Sequence, residues 1–306
     1  MQDLQHWISQ YLLDCQYQKG FDPKTIKAYR IDLAQFSVLM GQSSSGLTRE
    51  GIMEYVSDLH QHYKPKTIRR KIASVKAFCG YLEYEELVTE NPFARIRLKL
   101  GVPSILPRTI PLPAIEAILT AAYQMKETAK TSKQRDTALR DIAVLELLFA
   151  TGVRVSELCS LQCGDVRLDE GEIKIYGKGA KERFVQIANH DVLGALSRYR
   201  ETYKDAMALA GAFFVNRLCK PLSDQSVRGI INKYSKLAGV ENHITPHMFR
   251  HSFATLLLDE GVDIRYIQQL LGHSSIVTTQ IYTHVAGKKQ RDILSEKHPR
   301  NRIHSV

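Results

Sequence analysis

Between Pro92 and Pro113 the chain carries Pro92, Gly101, Pro103, Pro107, Pro111 and Pro113, with Arg95, Arg97, Lys99 and Arg108 set among them. Proline lacks a backbone donor, fixes its own φ and pushes the preceding residue out of the helical region, so no helix or central strand runs through this stretch. It therefore cuts the 306-residue chain into two parts, and at roughly 150 residues per domain each is long enough for a core of its own. The division expected is a first domain at 1–92, a basic linker at 93–111, a second domain at 112–287 and a C-terminal segment at 288–306.

Apolar periodicity separates the two parts in kind. In the first, Trp7, Ile8, Tyr11, Leu12 and Cys15, then Ile26, Tyr29, Leu33 and Phe36, recur at helical spacing, which predicts short helices that must pack their stripes together as a bundle. Pro23-Lys24-Thr25-Ile26 and Pro65-Lys66-Thr67-Ile68 each open such a pattern, with proline where its missing N–H is harmless. The second of these helices sets Arg69, Arg70, Lys71 and Lys76 beside Ile68, Ile72, Val75 and Phe78, a basic face suited to phosphates or simply to solvent.

In the second part Ile142, Leu145, Leu148 and Phe149 mark a helix ending at Thr151-Gly152. The period then turns to two, with Ile173 and Ile175, the turn Gly177-Lys178-Gly179-Ala180, and Phe184, Val185 and Ile187, which predicts a short antiparallel hairpin or meander. A further short strand is expected at Phe213 to Val215, with helices from Ser223, from Pro246, from Asp263 to Leu271 and around Thr278 to Val285. The fold class is thus mainly α: an N-terminal helical bundle followed by a mixed α/β domain, mostly helical, with a small antiparallel sheet.

Charge narrows the partner. Lys and Arg number 42 against 32 Asp and Glu, a net +10, which attracts a polyanion, nucleic acid and anionic membrane alike. The most apolar stretches, Ile142 to Ala150 and Ala206 to Val215, are about half a membrane span, and the first thirty residues lack the pattern of an export signal, so no membrane is expected. Five scattered cysteines suit a reducing cytoplasm, as buried or half-buried thiols; Cys159 and Cys163 lack the second close pair a zinc site would use.

Three segments place strong cations and histidines at breaks in apolar patterns. Arg154 follows the Gly152 break at the start of a helical pattern, with Glu157 one turn on; a cation there strengthens an anion site, whereas an Arg154–Glu157 surface pair would do nothing catalytic. His247 and Arg250 are three apart, on one helical face, and His251 falls on the more apolar side; the His247–His251 spacing lacks the intervening glutamate of a zinc helix. Leu271-Gly272-His273 and Tyr282-Thr283-His284 form the third. Cations gathered around one tyrosine suit a phosphodiester gaining negative charge, and no clustered carboxylates are present to hold Mg²⁺. No cofactor or metal is therefore expected, and the nucleophile would be a side chain.

In this order the segments resemble the tyrosine site-specific recombinases, the phage-integrase family, and within it the Xer type. Thr151 to Leu158 is similar to the family's first arginine box, Lys178 to its hairpin lysine, His247-Met248-Phe249-Arg250 to its His-x-x-Arg box, and Leu271-Gly272-His273 with Tyr282-Thr283-His284 to its last segment. Phe249 stands where leucine is common and Ala180 where asparagine is common. The resemblance implies catalytic roles for Arg154, Lys178, His247, Arg250, His273 and Tyr282, with Tyr282 forming a 3′-phosphotyrosyl bond. It implies duplex DNA with an inverted-repeat core site as substrate, held by the N-terminal bundle as a core DNA-binding domain and by the second domain. Lys66, Arg69, Arg70, Lys71, Arg95, Arg97, Lys181 and Arg183 are the expected DNA contacts. Further implications are a homotetramer, or a heterotetramer with a second recombinase, acting on two sites through a Holliday junction, a directionality factor, and a C-terminal segment anchored on a neighbouring protomer through Asp292, Ile293 and Leu294. The family's arm-binding members carry an additional small N-terminal domain, for which this chain is expected to have no counterpart. Xer-like resolution of chromosome or plasmid dimers, in the cytoplasm at a bacterial or archaeal nucleoid, is the role expected. A mobile-element integrase or resolvase, a type IB topoisomerase and a noncatalytic DNA-binding protein are the competing readings.

Overall fold

A computed structural model of the chain describes residues 2–42, 46–94, 96, 98, 108–177 and 182–272. The chain divides into two units, Met1–Ser104 and Ile105–Val306. Among the described residues no helix is long and apolar enough to cross a membrane.

The first unit holds α1 (Gln2–Tyr17), α2 (Pro23–Gln42), α3 (Arg49–His62) and α4 (Pro65–Tyr84). Both Pro-Lys-Thr-Ile repeats open a helix, with Pro65 in the first turn after an extended Lys64. Asp22 marks the start of α2, its carboxylate accepting from Lys24 N at 2.8 Å, and Thr48 Oγ1 caps α3 by accepting from Gly51 N at 3.3 Å; such caps satisfy donors that the helix itself leaves open. Ile68, Ile72, Val75, Phe78 and Leu82 form the buried stripe of α4. They meet Tyr11, Leu33, Phe36, Ile52, Tyr55 and Leu59 in one core, with the Tyr11–Phe78 rings 5.5 Å apart and Phe36–Tyr55 edge to face at 5.0 Å. Each such side chain contributes about 1.5–3 kcal/mol on burial.

The second unit is built around α6 (Ser132–Thr151). Every residue from Asp141 to Leu148 on it is buried, the mark of a helix covered on all sides. It packs against α5 (Leu112–Glu127), α8 (His190–Ala210) and α10 (Pro246–Asp259). It ends at Gly152, whose φ of +60° lets the chain reverse. There follow α7 (Val155–Cys159), a 3₁₀ turn at Cys163–Asp165, and strands β1 (Val166–Arg167), β2 (Glu172–Tyr176) and β3 (Glu182–Gln186) in an antiparallel meander of order β1-β2-β3. Pairing of Ile173 with Val185 and of Ile175 with Arg183 sets the register. Helix α9 (Asp224–Leu237) and helix α11 (Ile264–Leu271), capped by Asp263, complete the described unit. Asp141, buried on α6, ties that helix to α9 by accepting from Lys233 Nζ at 3.1 Å and from Tyr234 Oη at 3.0 Å, while Arg140 closes on it at 2.6 Å. Ser252 on α10 accepts from Ile110 N at 2.6 Å, holding the start of the unit to that helix.

Three local expectations are corrected. Phe213 to Val215 is no strand but a buried corner, bonded from Phe213 N to Leu161 O at 2.7 Å and from Tyr199 Oη to Phe213 O at 3.0 Å, with one bridge from Val215 to Pro221. Adjacent Phe184 and Val185 cannot both face inward on a strand; Val185 is buried and Phe184 exposed. Cys163 is exposed, in the 3₁₀ turn, unlike the other four thiols.

Candidate active site

Two arginines and two carboxyl helix ends meet in the second unit. Arg250 on α10 is 4% exposed. Its NH1 donates to Gly152 O at 2.8 Å and its NH2 to Leu271 O at 2.6 Å. Those carbonyls terminate α6 and α11, where helices leave acceptors unmatched and carry negative partial charge, so a guanidinium is held there by geometry and by field. Gly152 and Gly272, both with positive φ, make this approach possible: a Cβ on Gly152 would lie 2.6 Å from the Phe253 ring. The result sets Arg250 beside the turn that carries Arg154 two residues beyond Gly152, and beside the helix end that leads to His273.

Arg154 sits at the start of α7 with about a third of its side chain exposed, while its partner Glu157 is 5% exposed. The pair is therefore not a surface pair. Glu157 accepts four hydrogen bonds: from Arg154 N at 2.8 Å, Arg154 NH1 at 2.7 Å, Arg183 NH1 at 3.0 Å and Arg183 NH2 at 2.7 Å. Burial pushes its carboxyl up, but these bonds to Arg183 and Arg154 outweigh burial and hold it below the usual carboxylate range. Glu157 also replaces the expected anion-attracting helix start: α7 has five residues, and the backbone N–H of Arg154 goes to Glu157 rather than to a ligand.

His247, in the first turn of α10, is exposed, and His251 one turn on is half-buried. Burial, reinforced by the charges of His247 and Arg250, lowers the His251 imidazole to about 4, so it is neutral at pH 7. Among the described residues no group of three or more His, Cys, Asp or Glu could hold a metal ion.

The expected DNA contacts separate on inspection. Lys66 and Arg69 are exposed on α4. Arg70 is half-exposed and bonded to Asp32, which is fully buried on α2. Lys71 is corrected: it is 2% exposed, donating to Gln35 and, at 3.4 Å, to Asp32, with the Tyr63 ring 4.8 Å away. A phosphate cannot reach an ammonium enclosed in this way without unfolding the contact. Arg183 is corrected likewise, with 12% of its side chain exposed and its guanidinium turned onto Glu157 and onto Leu270 O at 3.1 Å. Sequence reasoning placed Arg183 among the DNA contacts and Glu157 at most in a surface pair with Arg154, and missed that Arg183 and Glu157 hold one another. The signals were present: Arg154 and Glu157 have capping-box spacing, and Arg183 shares strand parity with buried Val185. Lys178, Lys181, His273, Tyr282, Arg95 and Arg97 lie outside the described residues.

Comparison with known proteins places this geometry. Residues 118–289 match the phage integrase family, and residues 8–86 its N-terminal SAM-like domain. The chain is 52% identical to a tyrosine recombinase of Agathobacter rectalis, covering 99% of this chain and all of the relative. It is 36% identical to the tyrosine recombinase XerC of Thermodesulfovibrio yellowstonii, covering 98% of both. Among solved structures it is similar to XerA recombinase, at 28% identity with a TM-score of 0.53 over 96% of this chain and 99% of that one. It shares its fold with XerH recombinase, at 21% identity with a TM-score of 0.75 over 94% and 84%. The ordered boxes and these likenesses agree, and the chain belongs to the phage integrase family, as a tyrosine recombinase, an enzyme of site-specific DNA recombination.

Proposed function

We propose that the chain is an Xer-like recombinase that resolves chromosome or plasmid dimers, with residues 1–92 and 112–287 as the DNA-binding and catalytic domains. The observation that carries the catalytic assignment is the Arg250 bridge from Gly152 O to Leu271 O, which brings α10, with His247 and Arg250, to the turn before Arg154 and to the end of α11. Two arginines so gathered set two positive charges beside the nonbridging oxygens of one phosphodiester, Arg154 through a side chain about a third exposed and Arg250 from its buried place between the two carbonyls. Tyr282 Oη attacks the phosphorus; the P–Oη bond forms as the bond to the 5′-oxygen breaks. The phenol proton passes to His247, and Lys178 protonates the leaving 5′-oxygen as general acid. His273 donates a hydrogen bond to a phosphoryl oxygen. Attack by a 5′-hydroxyl from the partner strand reverses these steps, so the bond energy is conserved in the phosphotyrosine. Four protomers on two inverted-repeat sites pass through a Holliday junction in this way.

End-to-end likeness to a XerC, 98% of both chains at 36% identity, supports the Xer reading over the mobile-element one. The test is incubation of the protein with fragmented DNA from its source cell, followed by sequencing of fragments held covalently by wild type and not by Tyr282→Phe. One inverted-repeat site near the chromosome terminus is expected. Recovery at the ends of a mobile element would replace the resolution role, and covalent capture by Tyr282→Phe would remove the nucleophile assignment.

A further inference from the structure

Arg183 stands on β3 at a position that strand parity turns inward, opposite Ile175 and on the same face as Val185. All three of its guanidinium nitrogens donate to the protein. NH1 and NH2 form a fork on the Glu157 carboxylate at 3.0 and 2.7 Å, and Nε reaches Leu270 O at 3.1 Å. The same carboxylate holds Arg154 through its backbone and its side chain. Arg250 holds the next carbonyl along, Leu271 O. Gly272 is shaped to this packing as well, because a Cβ there would lie 2.9 Å from Arg183 NH1 and 3.0 Å from its Cδ. One side chain therefore ties three elements together: the sheet, the turn that carries Arg154 and the end of α11.

We infer that Arg183 is a positioning residue of the strand-transfer reaction, fixing Arg154 through Glu157 and fixing the end of α11 that leads to His273, rather than a contact to DNA. This rests on the preceding assignment of Arg154 and His273 as phosphate ligands. Lysine would keep the charge but lose the planar fork, so Arg183→Lys should recover only part of the function. Glu157 faces Arg154 from α7 and Arg183 from β3; on the helices packed against α7, Arg140 and Asp141 of α6 and Lys233 of α9 pair with one another.

The test compares wild type, Arg183→Ala, Arg183→Gln, Arg183→Lys and Glu157→Gln with and without Arg183→Ala, each checked for cooperative thermal unfolding. The probe is the DNA fragment recovered by covalent capture. The first-order rate of adduct formation on bound DNA should fall about 100-fold in Arg183→Ala, while DNA affinity and its salt slope stay near wild type. Arg183→Lys should lie between the two. Adding Arg183→Ala to Glu157→Gln should cost far less than it does alone, because the two act as a unit. The acid limb of the rate should move to higher pH in Arg183→Ala, since Glu157 loses the partner that most lowers its carboxyl. Should Arg183→Ala not fold, Arg183→Gln carries the same comparison. An unchanged rate, or a lowered salt slope with an unchanged rate on bound DNA, would overturn the inference. A readout without DNA separates its failure from that of the proposed function. The Nε–Hε resonance of Arg154, assigned by its loss in Arg154→Lys, should be resolved in wild type and merge with exposed arginines in Arg183→Ala and Arg183→Gln. If wild type forms no adduct, the functional reading fails and this resonance still decides the positioning role. Persistence of the resonance in the Arg183 variants overturns it.

Discussion

Asp32→Asn in the first unit should be among the most damaging polar substitutions in the chain. Asp32 is fully buried and accepts from Arg70, from Lys71 Nζ at 3.4 Å and from Ser74 Oγ at 2.9 Å. Removing its charge leaves the Lys71 ammonium, whose side chain is 3% exposed, with Gln35 and the face of Tyr63. Breaking one side of a buried pair costs about 3–5 kcal/mol. Arg70, 47% exposed, can turn to water and adds about 0–1 kcal/mol. The asparagine oxygen still accepts from Ser74 and returns about 1 kcal/mol. The net cost is about 2–5 kcal/mol, a large share of the 5–15 kcal/mol that holds a typical domain folded. Trp7, the one tryptophan of the chain, packs on the core of this unit, so its fluorescence follows this unit's unfolding. With a urea dependence of about 1 kcal/mol/M for a unit of this size, the midpoint should fall by about 2–5 M. The double variant Asp32→Leu with Lys71→Met removes both charges and should return to within about 1 kcal/mol of wild type. A midpoint loss under about 0.5 M for Asp32→Asn, or a double variant as damaged as the single one, would refute this account of the network.

Lys66→Ala and Arg69→Ala should each lower the slope of log affinity for DNA against log salt by about one phosphate contact, while Lys71→Met leaves it unchanged; titrations at several salt concentrations decide this. Gly152→Ala should lower the thermal midpoint of the second unit, since a left-handed alanine costs about 1–2 kcal/mol before the Phe253 clash is added. His251 makes stability depend on pH. Its folded value of about 4 lies below the ordinary 6.5, so the unfolded chain takes up a proton that the folded one refuses, and stability is lost as pH falls from about 6.5 to about 4. Partial exposure discounts this to about 1–2 kcal/mol, and the unfolding free energies at pH 7 and 4.5, from denaturant titrations, should differ by about that much less in His251→Gln.

Much of this protein was legible along the chain. The proline run announced a division, Pro23 and Pro65 marked helix starts, and alternation at Ile173, Ile175 and Val185 marked the meander, because each of these signals is local. The order of the boxes identified the family for the same reason: each box is a few residues that chemistry requires together. Phe184 beside Val185 was ambiguous, since alternation allows either phase until a core chooses one.

Only tertiary structure decided which cations face a ligand and which hold the protein together. Lys71 and Arg69 belong to the same basic run, yet Lys71 is enclosed because Asp32, 39 residues earlier, arrives beside it on another helix. Arg183 followed the hairpin turn as an expected DNA contact, yet Glu157, 26 residues before it, claims its fork. A long cationic side chain is stable in either setting, solvated or paired, and local sequence does not distinguish them. The choice rests on whether folding brings a buried carboxylate within reach, a fact of three-dimensional packing rather than of spacing.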